Sequence, residues 1–362
     1  MSSARWARSV WAREGILAFL QWLLAVPLSL IYGTGVRLRN ACYRLGVRRA
    51  RRLPRAVVSV GNLTVGGTGK TPTTIWLARE LGKRGYQVAI LSRGYKGDLK
   101  ETVVLDPIPE GAQTGDRSEL LAGDEAVMMA RLFGLKIGVA RRRYVAGERI
   151  LRDANVDVFL LDDGFQHREL ARDVDLLLLG EDSNGWLLPA GAFREPRGGL
   201  RRADCYLVTG ARERWQKILR RRPQDAVFYG GLEPRALLGF ESGRWREFPL
   251  TLLDRSKVLA VSAIADPRPF YRMIYDWEGE IVDTIEFPDH HSYSARDWQR
   301  ITRASHSVDV VLTTEKDIVK LTRFPFAREK LLALRVEMVV ENGEALIQTI
   351  ENKIKDAQAR QA

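Results

Sequence analysis

The sequence predicts an α/β protein built of two three-layer αβα domains with largely parallel sheets. Three observations carry that prediction. Short continuous apolar strands alternate with amphipathic helices over residues 56–225, the pattern of a parallel sheet covered on both faces. A Gly- and Pro-punctuated stretch at 226–249 interrupts it, and a second αβ unit follows. A glycine-rich loop joins the first of these strands directly to a helical pattern, as in folds that bind ligands at the carboxyl ends of parallel strands.

The elements follow in chain order. Residues 1–55 hold eleven arginines and one acid, Glu14, a net of +10 in a chain of +12. The remaining 307 residues carry only +2, so the charge does not indicate a nucleic-acid groove across the body. No charge falls between Glu14 and Arg37, and Trp6, Trp11 and Trp22 stand near the start of that stretch. A secretory signal would need a small-residue cleavage site. A spanning helix is long enough, but Gln21, Pro27 and the glycines weaken it. A helix lying in the interface, with arginines on anionic lipid, is the expectation; a buried core helix is the bland alternative.

Strand 56–60 leads into VVSVGNLTVGGTGKTP, residues 57–72. Strand, glycine loop, Lys-Thr and helix together make a phosphate cradle. Glycines 66, 67 and 69 and Thr68 bring backbone N–H groups to phosphate oxygens, Lys70 reaches the β/γ oxygens, and Thr71 can ligate Mg²⁺. The usual pattern has a glycine where this chain has Thr64. The expectation is a P-loop NTPase-type domain that uses a nucleoside triphosphate.

Further strands are expected at 88–92, 136–140, 158–161, 176–179 and 205–208, with helices at 71–84, 124–132, 143–154 and 213–221. In the second unit, strands are expected at 258–261, 281–287, 308–313 and 331–336. A helix is expected after Ser294, which pairs with Asp297 as a capping box, and a last one near 344–358. The boundaries are then 1–55 for the N-terminal segment, 56–225 for the nucleotide domain, 226–255 for a β linker, 256–345 for the second domain and 346–362 for a C-terminal helix. Cys42 and Cys205 offer neither a disulfide framework nor metal-ligand spacing and suit a reducing compartment.

The chemistry-bearing residues are few. An apolar strand ends in Asp162-Asp163, where a P-loop enzyme holds its metal. Transfer to an alcohol also needs a residue that orients or deprotonates the hydroxyl. Asp124 is one candidate, though it also suits a helix N-cap. His290, after Asp289, is another, in a chain whose other histidines are His167, His291 and His306. Arg194 and Glu195 lie in LLPAGAFREP, residues 187–196, where an arginine can neutralise phosphate or form a surface ion pair. LTTEKD, residues 312–317, offers Glu315, Lys316 and Asp317, or a helix cap on Thr314.

Taken in order, GNLTVGGTGKTP, LSRGY (91–95), GDE (123–125), DDGFQHREL (162–170), LLPAGAFREP, DH (289–290) and LTTEKD resemble the tetraacyldisaccharide 4′-kinases, the lipid A 4′-kinases of Gram-negative bacteria. The resemblance implies transfer of the γ-phosphate of ATP to the 4′-hydroxyl of a tetraacylated diglucosamine 1-phosphate. It implies Mg²⁺, two αβα domains with the active site in the cleft, and attachment to the cytoplasmic face of the inner membrane. Asp124 and His290 then match the catalytic carboxylate and its histidine. Lys70 and Arg194 join them, and Thr71, Asp162, Asp163 and Glu125 stand on the metal side. Gln166, His167 and Glu195 line the site. Thr64 becomes the family's own form of the loop. Lys96-Gly97-Asp98 departs from the usual continuation of LSRGY, so the hairpin expected over about 95–115 has its own shape. A monomer is expected. A membrane-bound regulatory NTPase and a soluble small-molecule kinase are the alternatives.

Overall fold

The computed structural model describes residues 3–94, 101–109, 117–241, 244–324 and 330–360. The chain forms two compact units that interleave along it. Unit 1 holds residues up to Leu91, Arg142–Gly231 and Met338 onward; unit 2 holds Ser92–Arg141 and Leu232–Glu337. The linear division into 56–225 and 256–345 does not express this interleaving.

Unit 1 opens with helices α1 (Ser3–Ala12) and α2 (Ile16–Arg44), then β1 (Ala56–Asn62), α3 (Lys70–Lys83) and β2 (Val88–Ser92). Unit 2 contributes β3 (Val103–Leu105), α4 (Arg117–Ala122), α5 (Asp124–Phe133) and β4 (Lys136–Val139). The chain then returns to unit 1 for α6 (Arg143–Asp153), β5 (Val158–Asp162), β6 (Val174–Leu179), β7 (Cys205–Val208) and α7 (Arg212–Leu219). Strand β8 (Val227–Glu241) starts in unit 1 and runs on into unit 2. There follow β9 (Arg244–Phe248), β10 (Lys257–Ser262), α8 (Arg268–Asp276), β11 (Glu280–Glu286), α9 (Ala295–Ala304), β12 (Val310–Thr314), α10 (Glu315–Leu321) and β13 (Leu331–Glu341). Helix α11 (Gly343–Ala359) ends in unit 1.

In unit 1, β1 is central, parallel to β5 (Val58 opposite Leu160) and to β6 (Val58 opposite Val174). Strand β2 extends the sheet beyond β5, and β7 and the start of β8 extend it beyond β6, all parallel. Every residue of β1, β5 and β6 is buried, which is why these strands read as unbroken apolar runs rather than alternating ones. Helix α11 packs on β1 and α3 through Leu346, Ile347, Ile350 and Ile354, a helical stripe.

In unit 2, β10 is parallel to β11 and β12, and β12 to β13. Its core gathers Leu237, Leu253, Val258, Ile274, Leu312 and Leu334. The stretch at 226–249 holds a fifteen-residue strand, β8, paired antiparallel with β9, rather than a linker with short strands. Of the hairpin expected over 95–115, residues 95–100 and 110–116 lie outside the described residues. Between them β3 pairs antiparallel with β4. The box predicted at Ser294 is present: its hydroxyl accepts from the Asp297 N–H, and Asp297 accepts from the Ser294 N–H at 2.8 Å.

Candidate active site

In unit 1 the loop between β1 and α3 has the conformation its glycines permit. Gly66 and Gly69 have φ of 107° and 80°, the left-handed region that favours glycine. No added Cβ would meet an obstacle at Gly66 or Gly67, so the open side of the loop presents backbone to an approaching ligand. Thr64 is buried and its backbone is not left-handed; it forms an antiparallel bridge with Phe193. An extended residue has no need of glycine, which accounts for the threonine. Lys70 Nζ donates to the Gly66 carbonyl at 3.3 Å, curling its side chain over the loop.

The two aspartates at the end of β5 differ in their partners. Asp162 accepts from Thr71 Oγ1 at 3.1 Å and from Thr74 Oγ1 at 3.2 Å. Asp163 has φ of 49° and is clamped by both guanidinium nitrogens of Arg194, at 2.9 and 2.7 Å. Lys70 lies 4.0 Å from it. Burial pushes the Asp163 carboxyl up, but Arg194 and Lys70 outweigh it and hold the group well below the usual carboxylate range. Arg194 also binds Asn62 Oδ1, and Asn62 Nδ2 donates to Thr68 Oγ1 at 2.8 Å.

Gln166 donates to the Asn62 carbonyl at 2.9 Å and to Glu195 at 2.8 Å. Glu195 is 1% exposed and paired with Arg202 at 2.7 Å. Burial raises its carboxyl, yet Arg202, Gln166 and Asn40 bring it below its ordinary value. These bonds make Glu195 and Gln166 a brace under Arg194. His167 lies on the same turn, its carbonyl accepting from Arg172.

The brace is tied to the N-terminal helices. Trp11 and Trp22 donate to the carbonyls of Pro189 and Ala190, both at 2.9 Å. Ser29 donates to Leu187 O at 2.9 Å, Tyr32 to Arg194 O at 2.8 Å, and Arg39 to Gln166 O at 2.9 Å. Gly33 sits on the same face; a Cβ there would come within 2.6 Å of Leu187 Cδ1. The opposite face exposes Leu17, Leu20, Leu24, Leu28, Ile31 and Leu38, spaced three, four or seven apart as one helical stripe. Helix α2 is long and apolar enough to cross a membrane.

In unit 2, Asp124 is the first residue of α5, with Gly123 as the N-cap. It is therefore not the capping residue its position in the sequence also allowed. His290 Nδ1 lies 3.6 Å from Asp124 Oδ2, and Lys320 Nζ donates to the same oxygen at 3.1 Å. Burial raises the Asp124 carboxyl, but His290, Lys320 and Lys316 together hold it at about 2. His290 has φ of 59°, a conformation that costs a non-glycine residue roughly 1 kcal/mol or more and persists where its surroundings impose it. Its neighbour His291 faces Asp297 at 3.1 Å and stacks on Phe287, so His290 is the histidine directed at Asp124. Glu125 lies 3.6 Å from Lys316. A pocket in this unit is lined by Ser92, Gly94, Gly123, Asp124, Glu125 and His290.

Sequence reasoning passed over Asn62, Thr74 and Lys320. Lys320 carried a usable signal, standing one helical turn after Lys316 of the LTTEKD motif. Thr74 carried none, because its partner Asp162 lies 88 residues away; Asn62 stood in the quoted loop motif, but its bond to Arg194 spans 132 residues.

Among the described residues no group of three or more His, Cys, Asp and Glu side chains could hold a metal. A hydroxyl beside a carboxylate, as at Thr71 and Asp162, is an oxygen donor set that suits Mg²⁺, which is completed by water and phosphate rather than by an all-protein cage.

A family model described as tetraacyldisaccharide-1-P 4′-kinase matches residues 20–355. The tetraacyldisaccharide 4′-kinase of Pelobacter propionicus is 36% identical over 342 residues, covering 92% of each chain. That of Geobacter metallireducens is 40% identical over 314 residues, 83% of this chain and 88% of its own. The crystal structure of LpxK from Aquifex aeolicus in complex with ATP matches with a TM-score of 0.73 at 32% identity, covering 91% of this chain and 98% of that one. With matches of that identity and coverage over both units, the chain belongs to the tetraacyldisaccharide 4′-kinase family.

Proposed function

We propose that this kinase moves the γ-phosphate of ATP to the 4′-hydroxyl of tetraacyldisaccharide 1-phosphate, giving the 1,4′-bisphosphate of lipid A biosynthesis. The observation that carries the reading is the pairing of Thr71 with Asp162 at the end of a phosphate loop, in a chain of this family.

The roles follow from the contacts. Backbone N–H groups of 66–71 and Lys70 hold the ATP phosphates. Thr71 and Asp162 would hold Mg²⁺, which would supply positive charge to the phosphates; Asp163 is a further carboxylate beside them. Arg194, kept in place by Asp163 and Asn62, offers positive charge to the transferring phosphoryl group. Asp124 takes the hydroxyl proton, and His290 orients it. A carboxyl held at about 2 is a weak base, but a loose phosphoryl transition state asks little of one.

The acceptor is an acylated lipid, and α2 gives the enzyme a way to reach it. Trp11, Trp22 and Ser29 bond loop carbonyls along one face of the helices. A full span would carry that folded loop into hydrocarbon, where exposed backbone is not tolerated. On this reading α2 lies in the interface on the cytoplasmic side, with its leucine stripe in the lipid and arginines at the headgroups.

Purified protein with ATP, Mg²⁺ and tetraacyldisaccharide 1-phosphate in mixed micelles should yield the bisphosphate. ATP hydrolysis without lipid phosphorylation would remove this reading and favour a regulatory NTPase.

A further inference from the structure

We infer that Arg39 and Arg168 form a headgroup site, outside the phosphate loop, for one anionic phospholipid of the bilayer. The inference rests on the reading of α2 as an interfacial helix.

Charge is unbalanced in this part of unit 1. The guanidiniums of Arg39, Arg168, Arg172 and Arg202 share the carboxylates of Glu195 and Asp175. Arg202 pairs with Glu195 at 2.7 Å and Arg172 with Asp175 at 3.0 Å. Arg39 donates instead to the Gln166 carbonyl at 2.9 Å. Arg168 donates to the carbonyl and the side-chain oxygen of Asn40, at 3.1 and 3.3 Å. Glu195 is fully engaged, because Gln166, Asn40 and both outer nitrogens of Arg202 occupy its lone pairs. Burial holds the Arg168 guanidinium below its ordinary value. Arg202, Arg172 and Arg39 press it the same way, against the pull of Glu195. Arg39 and Arg168 thus keep their positive charges in a half-buried place with only neutral acceptors.

A phosphate suits what remains. Each guanidinium carries five N–H hydrogens in one plane, and the bonds above engage a single nitrogen of each. The buried Nε of Arg39 has no acceptor among the described residues. Arg168 lies over the Tyr43 ring, 5.0 Å from its centroid, which orients its fork before a ligand arrives. Phosphate oxygens accept parallel N–H bonds from such a fork.

The surroundings favour a phosphate that carries acyl chains. Arg39 and Tyr43 stand one turn apart on α2. Leu38, next to Arg39, is exposed and belongs to the apolar stripe. Charge therefore adjoins apolar surface there, the border at which headgroup phosphates sit when a helix lies in the interface. A free phosphate would use the charge and leave the stripe bare, whereas a phospholipid uses both. A zwitterionic headgroup brings its own cation and leaves the excess uncorrected, so the lipid is anionic. The excess is present with or without an acceptor molecule, and bilayer lipid is always at hand.

The test is native mass spectrometry of the full-length protein, released from micelles holding equal amounts of phosphatidylglycerol and phosphatidylcholine. The wild type should retain one phosphatidylglycerol in preference to phosphatidylcholine. Arg39→Gln with Arg168→Gln should lower that retention on the order of 30-fold, since each arginine near a lipid surface counts for about fivefold. Arg48→Gln with Arg49→Gln removes equal charge from exposed positions beyond α2 and should leave the preference in place. A wild type that retains both lipids equally would overturn the inference, and that result needs no variant. So would a preference that survives Arg39→Gln with Arg168→Gln, or one that Arg48→Gln with Arg49→Gln abolishes equally. Displacement of the lipid by equimolar tetraacyldisaccharide 1-phosphate, or by millimolar inorganic phosphate, also overturns it and gives the site to the acceptor or to a free anion. Vesicle flotation separates the underlying reading. Protein that stays off phosphatidylglycerol vesicles removes the interfacial α2, whereas protein that floats without the lipid preference removes this site alone.

Discussion

Tyr32 of the apolar helix α2 donates its phenol hydrogen to the carbonyl of Arg194 at 2.8 Å, and the guanidinium of Arg194 clamps Asp163. The helix proposed to meet the lipid is thus bonded to the backbone of a residue at the phosphate loop. The same segment pairs with that loop: Val65 N donates to Ala192 O and Arg194 N to Leu63 O.

Tyr32→Phe removes this bond and little else. A lost hydrogen bond of about 1 kcal/mol at a positioning contact corresponds to roughly a fivefold fall in kcat. Lipid-vesicle flotation should be unchanged, since the exposed stripe is untouched. Wild-type kcat in Tyr32→Phe would show that the helix serves attachment alone.

Leu24→Glu with Ile31→Glu should do the converse. Both side chains are exposed on the stripe away from the loop, and each apolar residue withdrawn from lipid forfeits about 1.5–3 kcal/mol. Binding to anionic vesicles should fall at least tenfold, while nucleotide affinity measured calorimetrically stays within twofold of wild type.

Lys70→Ala should lower phosphoryl transfer by roughly three orders of magnitude or more, the scale of removing a charge aimed at the transferring group. Asp162→Asn should raise the Mg²⁺ concentration needed for half-maximal rate, because it weakens the carboxylate that holds Thr71. A metal dependence identical to wild type would place Asp162 outside the metal site.

Asp124 sets a pH expectation. Its carboxyl in the fold lies at about 2, below the ordinary 3.8. The carboxylate therefore contributes stability above pH 3.8, and that contribution is lost as pH falls through about 2. The Asp124 group should not produce an acid limb in the rate profile between pH 4 and 7. Lys320→Met removes a cation 3.1 Å away, so the Asp124 value should rise and any acid limb it causes should move to higher pH. A profile unmoved by Lys320→Met would count against Asp124 as the titrating base.

Much of the secondary structure was legible because burial writes itself into composition. β2 and β7 occupy the predicted residues, and Ser294-Asp297 and Thr314-Asp317 form the predicted caps. Caps depend on three or four consecutive residues, which a sequence displays directly. The C-terminal helix was legible as a helix, but not as part of unit 1. Its apolar stripe states that one face is covered and says nothing of what covers it.

The sequence by itself determined the phosphate loop and the acidic strand end after it. Each is a local pattern whose backbone requirement or periodicity is complete within a dozen residues or so. The tertiary structure alone decided the division of labour between neighbours. It gave Asp162 to Thr71 and Asp163 to Arg194, 31 residues on. It chose His290 over His291 for Asp124, and brought Lys320 to that carboxylate across 196 residues of chain. Adjacent residues of one type differ only in direction, and direction is set by the elements that pack around them.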